Sequence, residues 1–416
     1  MKKILFDAKL RRDTPQLHVL LIGVGEYPHL IGGSAFDRRK PPKRTFGLGQ
    51  LTSPTLSASA LADWFLATHN NPDTPLGSVD LLLSPMAYMP NAVAATRLGV
   101  GVASPIIVPP ATFGTIKGAA GRWYERLDAC RDNIGVFYFC GHGLEASDRY
   151  LLAADFAADP KNPDCGIINF QQTFRNMVRC KASAQCFFLD ACRDSPPQLK
   201  VAAAEGKVGR PIIDPRSGPA FGRNAPIFHA AAPDEPTFGP PGEKSYFAQA
   251  LLDCLNGMAA RVGGDPTFFS IDHASLALAL PEHVDRLAVE HGVELRCLPD
   301  GGDAQIVGLA ELHRAPPPVN VLTTIFCRPS AAHLAAHLSV TDVTGNSTLR
   351  PANDPKPWRV TLRSGKHTVS ATFAEDAGFV EHQREINVVP TPIFSVPISV
   401  QPRNPGAPVT SGGSSR

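Results

Sequence analysis

The sequence predicts an α/β fold, a mostly parallel sheet flanked by helices, followed by a smaller all-β sandwich. Three observations carry this. Short, nearly continuous apolar runs recur along the first three quarters of the chain, as strands buried on both faces do. Helical periodicities separate them. Past Ala315-Pro316-Pro317-Pro318 the pattern changes to short β-branched runs between turn residues.

The first predicted strand is His18–Val24. A helix over Ser57–His69 follows, with Leu61, Phe65 and Leu66 on one side, then a strand at Val79–Leu83. Ile116, Ala119, Ala120, Trp123 and Leu127 give Thr115–Cys130 a helical stripe ahead of the strand Ile134–Cys140. A helix over Ile168–Val178 precedes the strand Gln185–Leu189, and a fifth strand is expected at Pro226–Ala231. Tyr246–Leu255 and Ser270–His291 read as helices, the second broken at Pro281 because proline lacks the amide an interior turn needs. From Val319 to Val400 about seven β-branched segments predict the sandwich. The expected domains are 1–313, containing a flexible linker at 195–223, then 319–402, then a disordered Gly/Ser/Pro-rich tail at 403–416.

Charge and composition narrow the function. The 40 basic and 38 acidic residues leave a net charge of +2, which argues against nucleic acid as the main partner. No stretch reaches the roughly 18 apolar residues of a membrane span, so no membrane partner is expected. Asp7 and Lys9 interrupt the apolar residues after Met1-Lys2-Lys3, unlike a signal peptide, and the expected location is cytoplasmic. Nine cysteines without CxxC spacing fit reduced thiols, most of them packing residues.

Two predicted strands end in chemistry-bearing residues: Phe137-Tyr138-Phe139-Cys140-Gly141-His142-Gly143 and Phe187-Phe188-Leu189-Asp190-Ala191-Cys192-Arg193-Asp194. Open α/β sheets place their sites beyond the carboxyl ends of the strands. A thiol with a pKa of about 8.5 needs a base to become a nucleophile, and His142 fits that role for Cys192. The amides of Gly143 and Cys192 are natural oxyanion donors. Either residue alone reads more simply as a turn histidine or a core cysteine; their joint placement is what argues for chemistry.

With both segments in view, the sequence resembles the caspase-like cysteine peptidases: caspases, metacaspases, paracaspases and bacterial caspase-domain proteins. In these a strand ending in His-Gly is followed about 50 residues later by a strand ending in the catalytic Cys. The resemblance spans roughly Leu17–Leu298. Leu-Asp-x-Cys-Arg is closest to paracaspases and bacterial relatives. It implies a Cys192/His142 dyad acting on proteins without metal or other cofactor.

The resemblance also assigns Asp190 to the pocket for the residue before the cut, where a carboxylate selects Arg or Lys through charge-assisted hydrogen bonds. The bland alternative is a turn cap. Asp234 or Glu235 would add acidity. Where basic-specific relatives carry an Asp-Ala pair, this chain has Ser57-Ala58. The stretch Ser195–Arg223 corresponds to the segment cut when caspases are activated, with Arg216 and Arg223 as expected processing sites, for the enzyme itself or an upstream protease. The basic cluster Arg38–Arg44 reads as a solvated loop. By analogy with bacterial relatives, stress or antiviral, CRISPR-linked defence is the implied setting. Two rivals stand: a catalytically silent scaffold binding partners through its β-sandwich, and a related hydrolase or transpeptidase acting on non-protein amides.

Overall fold

The structure, a computed structural model, describes residues 5–39, 45–85, 92–93, 106–162, 164–204, 208–232, 239–263, 267–300, 310–317 and 319–403. The chain divides into two compact units, Met1–Asn256 with Ser270–Ala315, and Gly257–Phe269 with Pro316–Arg416.

The first unit is built on a seven-stranded sheet. Its strands are β1 (Phe6–Asp7), β2 (Leu17–Val24), β3 (Leu76–Ser84), β4 (Ile134–Gly141), β8 (Ala184–Ala191), β9 (Ile227–His229) and β10 (Leu298–Asp300). A side hairpin supplies β5 (Gly143–Glu145), β6 (Arg149–Leu152) and β7 (Ile167–Asn169). The spatial order is β1-β3-β2-β4-β8-β9-β10, with the five central strands parallel and an antiparallel strand at each edge. Every residue of β2, β4 and β8 is buried, which accounts for their unbroken apolar character.

The helices are α1 (Ser53–Ala67), α2 (Phe113–Leu127), α3 (Phe170–Asn176), α4 (Pro197–Ala204), α5 (Tyr246–Asp253) and α6 (His273–His291). Alternate strand residues face opposite layers. Phe137 and Phe187 meet Trp123 of α2 and Phe170 of α3 at ring distances of 5.8–6.4 Å. Tyr138, Cys140 and Asp190 point to the other layer, where Ser57 of α1 and Ser245, the N-cap of α5, lie. The chain runs from β2 outward to β3 and then returns past β2 to β4. The carboxyl ends of β2 and β4 therefore flank the point where the strand order reverses, and a crevice is expected there.

Two expectations need correction. The helix of 270–291 is not broken: α6 runs through Pro281, because Leu276, Ala279, Leu280, Val284 and Leu287 keep one buried stripe on both sides of it. Pro281 sits on the partly exposed side, where the carbonyl it cannot bond is able to reach water. The stretch 195–223 is also less free than its composition suggests. Leu199, Val208, Ile212 and Ile213 are buried in the main core. Arg210 hydrogen-bonds along β7 through Ile167 O (3.1 Å) and Asn169 N (2.9 Å). The longest exposed run among the described residues of this stretch is 214–220; Pro197, Gln198, Lys200, Val201 and Arg210 are exposed singly or in pairs.

The second unit contains seven strands among its described residues from 319 onward: β11 (Asn320–Arg328), β12 (His337–Asp342), β13 (Ser347–Arg350), β14 (Trp358–Arg363), β15 (Gly365–Thr372), β16 (His382–Val388) and β17 (Phe394–Ser399). They form one sheet in the order β14-β11-β17 and another in the order β13-β12-β15-β16. Val321, Ile325 and Val396 are buried from the first sheet, Leu338, Val340, Val369 and Ala371 from the second.

Candidate active site

The register of the parallel pair β4/β8 sets Cys140 beside Asp190 and Gly141 beside Ala191. His142 and Cys192 are thus the first residues past two adjacent strand ends. A Cβ built on Gly143 would meet the Cys192 carbonyl oxygen at 2.4 Å and the Ala191 Cβ at 2.8 Å, so only glycine lets the two ends abut. Its smallness serves this backbone contact. Cys192 is partly exposed while His142 is 6% exposed.

His142 Nε2 lies 2.8 Å from the carbonyl oxygen of Gly49. A carbonyl only accepts, so Nε2 carries the proton and the lone pair of the neutral ring is on Nδ1. Burial lowers the His142 pKa, and the Gly49 bond opposes that shift in part. The shift favours the neutral ring. Tyr27, in the loop after β2, completes the surroundings. Its hydroxyl accepts from His142 N (2.8 Å) and donates to Leu152 O (3.2 Å), and its ring centroid lies 4.8 Å from that of His142. A Cβ on Gly141 would sit 2.8 Å from the Tyr27 hydroxyl, which explains the first glycine of the Gly-His-Gly motif.

Past Cys192, Arg193 makes a two-pronged ion pair with Glu145 of β5, at 2.5 and 2.8 Å. Ser195 Oγ donates to Glu145 O at 2.6 Å, and Glu145 N donates to Asp194 O at 2.9 Å. The segment carrying Cys192 is in this way tied to the hairpin that follows His142. Arg149 of the same hairpin pairs with Asp300 at 3.1 Å.

Asp190 is 1% exposed, and burial raises its pKa. One carboxylate oxygen accepts from the Tyr138 hydroxyl (2.6 Å) and from Ser245 Oγ, while the other is buried without a hydrogen-bond partner. Ser57 Oγ accepts from Ser245 N at 3.0 Å, so the serine of the Ser57-Ala58 pair stands one residue removed from Asp190. Asp234 and Glu235 lie outside the described residues.

The two expected processing sites differ in setting. Arg216 lies in the exposed stretch, its guanidinium 4.1 Å from the Tyr124 ring centroid. Arg223 is 1% exposed and donates to Gln185 Oε1 (2.8 Å) and Phe174 O (2.9 Å), so a protease reaches it only after local unfolding. Among the described residues there is no cluster of three or more His, Cys, Asp or Glu able to hold a metal, and no helix long and apolar enough to cross a membrane.

Tyr27, Gly49, Gln50 and Glu145 were not legible as site residues from sequence. The one signal was Gly-Glu-Tyr directly after a predicted strand, at what proves to be the switch point of the sheet.

Three similarities to known proteins bear on the chain. An uncharacterised protein, y4kE, of Sinorhizobium fredii is 28% identical over 247 residues, covering 56% of this chain and 68% of that protein. A crystal structure of protein GSU0716 from Geobacter sulfurreducens covers 73% of this chain and 99% of its own at 12% identity, with a TM-score of 0.39, too low to bear on the site. Residues 112–271, which contain both His142 and Cys192, match the profile of the caspase domain family. That match and the mostly parallel sheet flanked by helices are consistent with a caspase-like fold, that of a family of cysteine peptidases that act on proteins.

Proposed function

We propose that the protein is a cysteine endopeptidase cutting after basic residues, Arg preferred, with Cys192 as nucleophile and His142 as general base. The observation that carries this is the pair of abutting strand ends, one bearing a partly exposed thiol and the other an imidazole whose Nε2–H is engaged by Gly49 O.

Nδ1 of His142 takes the Cys192 proton, and the thiolate attacks the scissile carbonyl carbon. The oxyanion is held by the amides of Gly143 and Cys192. Collapse breaks the C–N bond, and the leaving amine takes the proton from His142. Water, deprotonated by the same ring, hydrolyses the thioester and restores the thiol.

Asp190 supports a basic preference, because its second oxygen, buried and without a partner, is suited to a guanidinium. Asp234 and Glu235 belong to the same proposed pocket. Activation by cutting after Arg216, by the enzyme itself or an upstream protease, fits the exposure of residues 214–220. A place in cytoplasmic stress or antiviral defence rests on the family resemblance, and the 319–402 domain is proposed to dock partners.

Fluorogenic peptides differing only at the residue before the cut test the reading, run with wild type and Cys192→Ala. Arg and Lys peptides should be cleaved by wild type alone, and intact mass of the same samples should show a cut after Arg216. Turnover by Cys192→Ala, or a preference for acidic or apolar residues, would overturn the assignment.

A further inference from the structure

The proposed mechanism asks one thing of His142 that the ring cannot arrange alone: Nδ1, not Nε2, must be the basic nitrogen. The Gly49 carbonyl decides this, yet Gly49 lies 93 residues away in sequence, in a loop with no regular structure. Something must hold that carbonyl in place.

Gln50 does so. Its Oε1 accepts from Tyr27 N at 2.8 Å, and its Nε2 donates to Tyr27 O at 3.0 Å and to Ile31 O at 3.1 Å. Leu51 N donates to Gly25 O at 3.0 Å, which fastens the other side of Gly49–Leu51. One amide side chain thus pins the segment carrying the Gly49 carbonyl to the backbone of Tyr27. The Tyr27 hydroxyl pins the backbone of His142 and of Leu152. Both partners of the imidazole, its own main chain and its acceptor carbonyl, are referred to a single residue. That residue is anchored at the end of β2, beside β4, and its side chain is fully enclosed.

We infer that Tyr27 and Gln50 are positioning residues for His142: they form a clamp that fixes the ring in its Nε2–H tautomer with Nδ1 as the base. This rests on the peptidase reading above. A misplacement of about 1 Å in such a base costs on the order of 10²-fold in rate. The clamp touches neither the scissile bond nor the proposed pocket, so its loss should appear in turnover and not in substrate affinity.

The experiment uses the full-length protein as wild type, Tyr27→Phe and Gln50→Ala. Tyr27→Phe keeps the ring against His142 and removes only the hydroxyl. Three quantities are read. Long-range 15N–1H NMR of histidine-labelled protein, with the His142 signals assigned by their loss in His142→Ala, gives its tautomer. Peptide-resolved iodoacetamide labelling gives the reactivity of Cys192 at neutral pH. Steady-state kinetics give kcat and KM on an Arg peptide.

Wild type should show a single Nε2–H tautomer. Both variants should show a tautomer mixture, labelling slower by about 10-fold, and kcat lower by about 10- to 100-fold with KM within about 2-fold. A unique Nε2–H tautomer with unchanged labelling in both variants would overturn the clamp, whatever the kinetics. If wild type cleaves no peptide, the peptidase reading fails by itself, and tautomer and labelling still decide the clamp. Should Tyr27→Phe not fold, Gln50→Ala carries the same three readouts.

Discussion

Asp190 poses the sharpest conflict at the scale of single residues. A carboxylate that is 1% exposed and has an oxygen without a partner is costly to keep ionised, and its raised pKa records that cost. A turn cap needs no such burial, because capping oxygens bond to nearby amides at the surface. A pocket floor does, since a guanidinium that fills it restores the missing partner. Asp190→Asn should therefore lower the Arg-to-norleucine ratio of kcat/KM by about 10- to 100-fold, while stability at neutral pH stays level or rises. Peptide kinetics with thermal melts check both halves; an unchanged ratio would remove Asp190 from specificity. The residues legible in the sequence share one property. His142, Cys192 and Asp190 each sit at a fixed offset from the end of a strong apolar run, so strand periodicity locates them. Gly49, Gln50, Tyr27 and Glu145 depend on loop paths that no periodicity encodes.

Among the elements, the hairpin after β4 does more than extend the sheet. It brings Glu145 to the loop that carries Cys192, where the two-pronged pair with Arg193 has side-chain exposures of only 22% and 11%. Water screens such a pair less than a surface one, so removing one partner strands the other. Glu145→Ala should cost about 1.5–3 kcal/mol of unfolding free energy. A double-mutant cycle with Arg193→Ala should show strong non-additivity. Strictly additive losses would mean the pair contributes nothing of its own. The same scale shows where composition misleads. Residues 195–223 look unstructured because Pro, Gly and charged residues dominate, yet Leu199, Val208, Ile212 and Ile213 anchor the path. Four apolar residues at irregular spacing leave no periodic trace. Pro281 misleads in the opposite direction, since its surface side of α6 tolerates the lost hydrogen bond while the buried stripe continues past it.

At the scale of the whole molecule, the first unit holds several histidines that burial keeps neutral, and that governs its response to acid. Burial is the leading cause in each of five rings, lowering the pKa of His18 and His229 to about 3 and of His69, His283 and His313 to about 4. An unfolded histidine titrates near 6.5, so below that pH the unfolded chain binds protons that the folded chain refuses. Stability is complete above about pH 6.5 and falls as pH drops from there toward 4. Each ring contributes up to about 1.4 kcal/mol per pH unit in that window. Asp80, Asp190 and Asp253 act in the opposite sense: burial raises their pKa values, so they favour folding as pH falls toward the ordinary carboxylate range. Five rings against three carboxyls leave a net loss toward acid, and even two unopposed rings would remove about 5–6 kcal/mol over two pH units, the low end of the 5–15 kcal/mol of an ordinary domain. Fluorescence of a Trp358→Phe variant reports the first unit alone, through Trp64 and Trp123. Its midpoint of unfolding in urea should fall steadily between pH 7 and pH 4.5. A midpoint that holds level or rises across that range would mean these rings accept protons in the folded state, and that their burial is less complete than the fold implies.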